Sequence, residues 1–363
     1  MRIGIGAVLN PTGGPARYAV ELVRALAQLE TDDHYVVFTN RPALFERSAR
    51  MTTVEIPLAA AVLEPYWDHV ALRRAAARQD IDLYHGVKGA IPIDLDCPRV
   101  VTIHDLAIHA CPETFAWQQH LHMRPHLWLA ARQARLIIAD SEHARADIIQ
   151  RLGVPAERVR AVPLGVRHQL FRAEAGDRDA ETATRLGLPR RFFLYTGTLQ
   201  PRKNVDVVVQ AYRGPSGLDG WQLLIAGRVR PDYRPEWMDA PPAGVRILDS
   251  PSDEDLSVLY RRARALVSPS SYEGFGLTFL EAMASACPVI GTGVTSLPEV
   301  VGDAGLLLPR ADVEAVRAAM QRLANDDDLH GDLSRRGRER AAQFTWQATA
   351  HRTHQLYREV CRG

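Results

Sequence analysis

Ser270-Ser-Tyr-Glu-Gly-Phe-Gly-Leu-Thr-Phe-Leu-Glu-Ala-Met-Ala284 reads as the turn from one structural element into another. The apolar run Ala265 to Ser268 before it has strand character, and the residues after Gly276 have helical character. A helix that starts behind two glycines offers backbone N–H groups with no intrahelical acceptor and the positive end of its dipole, a combination that binds phosphate. The expected contacts are Gly274, Phe275, Gly276, Leu277 and Thr278.

Two carboxylates flank this nest. Glu273 stands just before it and Glu281 follows about two helical turns later, so one is placed for sugar hydroxyls and the other for a ribose. The plainer alternative is a turn residue and a solvated helix residue.

Outward from the nest, Gly197-Thr-Leu-Gln-Pro-Arg-Lys-Asn204 is a second strand-to-helix turn, after the apolar run Phe192 to Thr196. Ligands of open α/β folds gather at that edge of the sheet. Lys203, with Arg202 as a second candidate, is placed to neutralise a leaving diphosphate. Among the 44 basic residues only Lys88 and Lys203 are lysines, which marks a site that needs a compact cation. In the first half, Gly13 and Gly14 follow the strand-like Ile3 to Leu9 and permit close approach of a ligand. His104 ends the strand Val100 to Ile103 and is placed to meet a sugar hydroxyl.

Short apolar runs alternate with helical patterns along the whole chain, at Ile3 to Leu9, Tyr35 to Phe38, Leu83 to His85, Arg99 to Ile103, Leu136 to Ala139 and Val159 to Val162. They restart at Phe192 to Thr196, Trp221 to Ala226, Val245 to Leu248, Ala265 to Ser268, Pro288 to Thr292 and Gly305 to Leu308. This is the pattern of two parallel sheets with crossover helices, and 363 residues exceed what one core usually holds. The polar stretch Arg167 to Leu188 reads as the linker. The expected domains are residues 1–170 and 171–345, with 346–363 a helix returning to the first domain.

Composition removes other classes. The net charge is +1, with no basic half that would mark a nucleic-acid footprint. The four cysteines are far apart, as in a reduced cytoplasmic chain. The opening residues read as strand rather than signal peptide, and no segment reads as a membrane span. His120 to Arg135 reads as a half-buried helix, with contact to a membrane surface as the alternative. Asp-x-Asp triplets lie in polar stretches, so no metal site is expected. A Gly-x-Ser-x-Gly elbow, a Walker loop and a His-Glu-x-x-His helix are absent.

Taken together, these residues resemble glycosyltransferase family 4, the retaining GT-B family, over nearly the whole chain. The Glu273 to Glu281 pair followed by Ala-Met-Ala and a Pro-Val-Ile strand carries the likeness, with Gly13-Gly14, Thr102-Ile-His-Asp105, Ser141, Val162-Pro-Leu-Gly-Val166, Lys203, Ala226-Gly227 and Leu297-Pro-Glu299. The resemblance implies an α/β GT-B fold, two Rossmann-like βαβ domains facing each other across a cleft. It implies a nucleotide-sugar donor, with Lys203 on the diphosphate, Glu273 on the transferred sugar, Glu281 on the ribose and His104 near the reacting carbon.

Transfer would retain anomeric configuration, without metal or other cofactor. The wording around Lys203 and His104 is similar to bacterial mannosyl-type enzymes of polysaccharide assembly, so a GDP-sugar is favoured over a UDP-sugar. The acceptor would be a carbohydrate or lipid-linked sugar. A cytoplasmic location, with peripheral contact to the inner membrane face as the alternative, is expected. A nucleotide-sugar epimerase and a non-catalytic nucleotide-sugar-binding protein are the competing readings. Two departures stand out: Thr198 replaces an Arg common in relatives, which leaves the phosphate clamp partly unassigned, with Arg202 as a candidate for the second cation, and Ala286 replaces a usual glycine, a change expected to matter little.

Overall fold

The computed structural model describes residues 1–8, 13–46, 48–56, 70–213, 217–230 and 233–362. It divides into two compact units, Met1–Gly165 with Trp346–Gly363, and Val166–Thr345.

In the first unit the strands are β1 (Arg2–Ala7), β2 (His34–Thr39), β3 (Met51–Glu55), β4 (Leu83–Gly86), β5 (Arg99–Ile103), β6 (Leu136–Ala139) and β7 (Val159–Ala161). They form one sheet in the order β3-β2-β1-β4-β5-β6-β7, and the paired strands are parallel. Val36, Phe38, Val101, Ile103 and Ile137 are buried in its core, the continuous apolar character expected when helices cover both faces of a parallel sheet. Strand β3 has no counterpart among the sequence-predicted runs. It is an edge strand whose first residue alone is buried, so its apolar signal is weak.

The second unit contains β8 (Phe192–Thr196), β9 (Gln222–Ala226), β10 (Val245–Leu248), β11 (Leu266–Ser268), β12 (Val289–Thr292) and β13 (Leu306–Leu308), ordered β10-β9-β8-β11-β12-β13. Both sheets reverse direction once, between β1 and β4 and between β8 and β11. At such a switch point the loops leaving neighbouring strands diverge and open a crevice at the carboxyl edge.

The stretch Arg167 to Leu188, read as a linker, lies within the second unit. Its helix Asp179–Arg185 is fastened there by Arg261, whose Nε and Nη2 both donate to Asp179 at 2.7 Å. The C-terminal helix Trp346–Arg362 belongs to the first unit. Thr349 Oγ1 donates to Pro163 O at 2.8 Å, and His354 Nε2 lies 2.5 Å from Asp33 Oδ2.

Ala286 corrects the expectation that this change matters little. Its φ is +60°, in the left-handed region that favours glycine, just after the helix Leu277–Ala284. The position caps that helix, with Ala286 N donating to Met283 O and Cys287 N to Ala282 O, so a side chain there carries backbone strain.

Candidate active site

The two loops at the switch point of the second sheet bring Lys203 and Glu273 together, although they stand 70 residues apart in sequence. After β8 the chain turns at Gly197, whose φ is +122°. This turn needs Gly227 behind it, since a Cβ there would stand 1.9 Å from Gly197 O. A short turn, Pro201–Lys203, ends at Asn204, which is left-handed with φ 51°. Asn204 Nδ2 donates to Pro269 O at 2.8 Å and to Ser271 Oγ at 2.7 Å, and Ser271 N donates to Arg202 O at 2.8 Å. This latch joins the loop after β8 to the loop after β11.

Lys203 Nζ consequently contacts Glu273 Oε1, and Arg202 Nη1 lies 3.8 Å from Glu273 Oε2 while donating to Tyr272 O at 2.6 Å. Arg202 therefore stands beside the carboxylate as a second cation. Burial by itself would raise the Glu273 carboxyl, but Lys203 and Arg202 outweigh it and hold the group below its ordinary range. Its backbone is fixed as well, with N donating to Thr295 Oγ1 at 3.0 Å and O accepting from Ser296 Oγ at 2.9 Å.

Gly274 and Phe275 are buried, and Gly276 caps the helix Leu277–Ala284 with φ +102°; Leu277 and Thr278 open its first turn. A Cβ on Gly276 would sit 2.7 Å from Leu297 Cδ2. The glycine thus serves both the turn and the packing beneath it, and the first-turn N–H groups lack intrahelical acceptors by helix geometry. Glu281 is buried rather than solvated, and its Oε2 accepts from Tyr260 OH at 3.3 Å. The Tyr260 hydroxyl in turn lies 3.0 Å from Thr196 Oγ1.

Gly13, Gly14 and His104 lie in the first unit. Gly13 has φ +118° and caps the helix Gly14–Ala27. Residues 9–12, Leu9-Asn-Pro-Thr12, lie outside the described residues.

Strands β5 and β6 pair Ile103 with Ala139, so the next residues on each, His104 and Asp140, are neighbours. His104 Nδ1 lies 2.8 Å from Asp140 Oδ2, and Nε2 donates to Val87 O at 2.8 Å. Burial opposes charge on this ring, but Asp140 outweighs it and raises the imidazole pKa above its ordinary value. Asp140, the partner of the candidate His104, was not singled out from the sequence; the signal available was its place one step past a strand, beside His104 in register.

The edge of Tyr18 meets the His104 ring at 4.8 Å. Tyr18 OH lies 2.9 Å from Thr102 Oγ1, which is 2.8 Å from His85 Nε2, and His85 Nδ1 is 2.6 Å from Tyr357 OH. Burial, with some help from nearby His104, pushes the His85 pKa down to about 3. A neutral ring donates through one nitrogen and accepts through the other, so this buried chain ties the C-terminal helix to the strands that carry His104.

Residues 12–170 match the family model described as Glycosyltransferase Family 4, and residues 179–340 match that described as Glycosyl transferases group 1. O-antigen chain mannosyltransferase B of Escherichia coli is 32% identical over 376 residues, covering 96% of each chain. Among solved structures, sucrose-phosphate synthase of Thermosynechococcus elongatus superposes with a TM-score of 0.79 at 26% identity, over 99% of this chain and 98% of that one. Anabaena HepE, solved with UDP and glucose, shares the fold at a TM-score of 0.75 and 17% identity, over 99% of this chain and all of the other, 100%.

Proposed function

Because the chain belongs to glycosyltransferase family 4, and is a glycosyltransferase, we propose that it moves a mannosyl group from GDP-mannose to a hydroxyl of a glycan, glycolipid or small glycoside, with retention of configuration and without a metal ion. The observation that carries this reading is the buried Glu273 carboxylate, flanked by Lys203 and Arg202 and followed directly by the glycine-capped helix Leu277–Ala284.

In the reaction, the first-turn N–H groups and Lys203 take the diphosphate. Glu273, kept ionised by its cations, accepts hydrogen bonds from sugar hydroxyls. Glu281 takes the ribose. As the bond from the anomeric carbon to the diphosphate oxygen breaks, the acceptor oxygen bonds on the same face, and its proton passes to the departing oxygen. The charge that grows on the leaving group meets cations already in place, where preorganised electrostatics contributes most.

His104 contributes to sugar binding, its ring held in place by Asp140 at Nδ1 and by Val87 O at Nε2. The metal-free reading is supported by the two cations beside Glu273. Among the described residues no three His, Cys, Asp or Glu side chains gather as a metal site. The mannosyl assignment, and a growing polysaccharide chain as acceptor, are supported by the likeness to the O-antigen chain mannosyltransferase of Escherichia coli. We place the reaction in the cytoplasm. No helix among the described residues is long and apolar enough to cross a membrane.

Calorimetry with GDP, UDP and ADP, each with chelator present, tests the donor reading. GDP should bind at least tenfold more tightly than UDP, and Lys203→Met should weaken GDP binding. Equal affinity for all three nucleotides would remove the basis for a GDP-sugar.

A further inference from the structure

Among the described residues five large hydrophobic side chains are exposed, and three of them, Trp117, Leu121 and Trp128, share the helix Trp117–Gln133. Their exposures, 67%, 67% and 50%, are high for side chains of this size. Pro125 is exposed as well. Positions 117, 121, 125 and 128 are spaced by four, four and three residues, so they form one stripe along the helix. The opposite side is anchored, with Ala130 and Ala131 buried and Leu127 packed against the first unit's core. The helix is therefore fixed on its scaffold with the apolar stripe turned outward.

Charge narrows the partner. The helix carries Arg124 and Arg132 and no Asp or Glu. Arg132 continues the exposed stripe, its guanidinium carbon 5.0 Å from the Trp128 ring centre. A second copy of this face would bring arginines together with no carboxylate on either helix to meet them. Tryptophan, with an apolar body and an N–H tip, suits the boundary between acyl chains and headgroups, and an arginine beside it reaches phosphate while its stem stays in apolar surroundings.

We propose that the Trp117–Leu121–Pro125–Trp128 face, with Arg132 at its end, docks the enzyme on a bilayer surface that contains anionic lipid. The rings enter the headgroup boundary and the guanidinium pairs with lipid phosphate. Docking there keeps the enzyme at the surface where lipid-linked acceptors reside. The inference does not depend on the donor assignment, because it concerns residues outside the catalytic machinery.

The test is co-sedimentation of the full chain with vesicles of phosphatidylcholine alone or with about one-third phosphatidylglycerol. The chain should sediment with the anionic vesicles and release as salt rises from about 0.1 to 0.5 M. The triple variant Trp117→Ser, Leu121→Ser, Trp128→Ser should lose at least roughly tenfold in partitioning, and Arg132→Glu severalfold, with unfolding temperature and turnover on a water-soluble acceptor unchanged. Failure of the chain to bind anionic vesicles, or equal binding by the triple variant, overturns the proposal. So does a dimer in sedimentation velocity that the triple variant abolishes.

Discussion

Replacing Lys203 with Met leaves the Glu273 carboxylate buried with only Arg202, 3.8 Å away, to balance it. In the wild type the folded pKa of Glu273 lies below its ordinary 4.5. Its ionised form therefore adds stability above that pH, and the contribution is lost as pH falls through the folded value. Without Lys203, burial dominates and the folded pKa rises, so the deficit against wild type should widen as pH climbs from about 4 to 7.

Removing one partner of a buried pair costs about 3–5 kcal/mol. Arg202 retains part of the compensation, which brings the expected loss to about 2 kcal/mol near pH 7 and under about 1 kcal/mol near pH 4. For a unit the size of Val166–Thr345, that is a fall of about 6 °C in unfolding temperature. Turnover should drop roughly 10²- to 10³-fold, as when one preorganised charge stabiliser is removed. The assay is urea unfolding at both pH values, with turnover measured on the same preparations. Adding Glu273→Gln should restore most of the stability and none of the activity. A loss of stability independent of pH, or turnover within about twofold of wild type, would refute the electrostatic argument.

Ala286→Gly should stabilise the second unit by about 1 kcal/mol in urea unfolding, since it relieves a left-handed φ of 60°. Tyr357→Phe strips the hydroxyl from a fully buried His85 nitrogen and should cost about 1–3 kcal/mol by the same measurement. Asp140→Asn removes the carboxylate that raises His104; if the protonated ring is the working form, activity falls as pH rises through its pKa. The alkaline limb of the rate profile should then move to lower pH in the variant.

Most of the fold was legible because parallel strands buried on both faces leave unbroken apolar runs, as Phe192–Thr196 and Val289–Thr292 do. Strand β3 was not, because an edge strand with one well-buried residue has little hydrophobic signal. The polar stretch before Leu188 looked like a linker because its attachment rests on an ion pair, Asp179 with Arg261, 82 residues away. The nest after Glu273 was readable from glycine spacing. That Lys203 and Arg202 both converge on Glu273 was not, since it depends on which strands are neighbours and on the Asn204 latch. Asp140 was hidden for the same reason: only the pairing of β5 with β6 sets it beside His104. The strain at Ala286 required a backbone angle that no side-chain pattern reports.

We propose retaining, metal-independent mannosyl transfer. Its most direct test follows GDP-mannose by NMR with a mannose-terminated acceptor and chelator present. Retaining transfer should release GDP and an α-linked product in equal amounts, with no consumption of donor when acceptor is omitted. A β-linked product, a requirement for divalent metal, or conversion of the donor to its epimer without acceptor would contradict it.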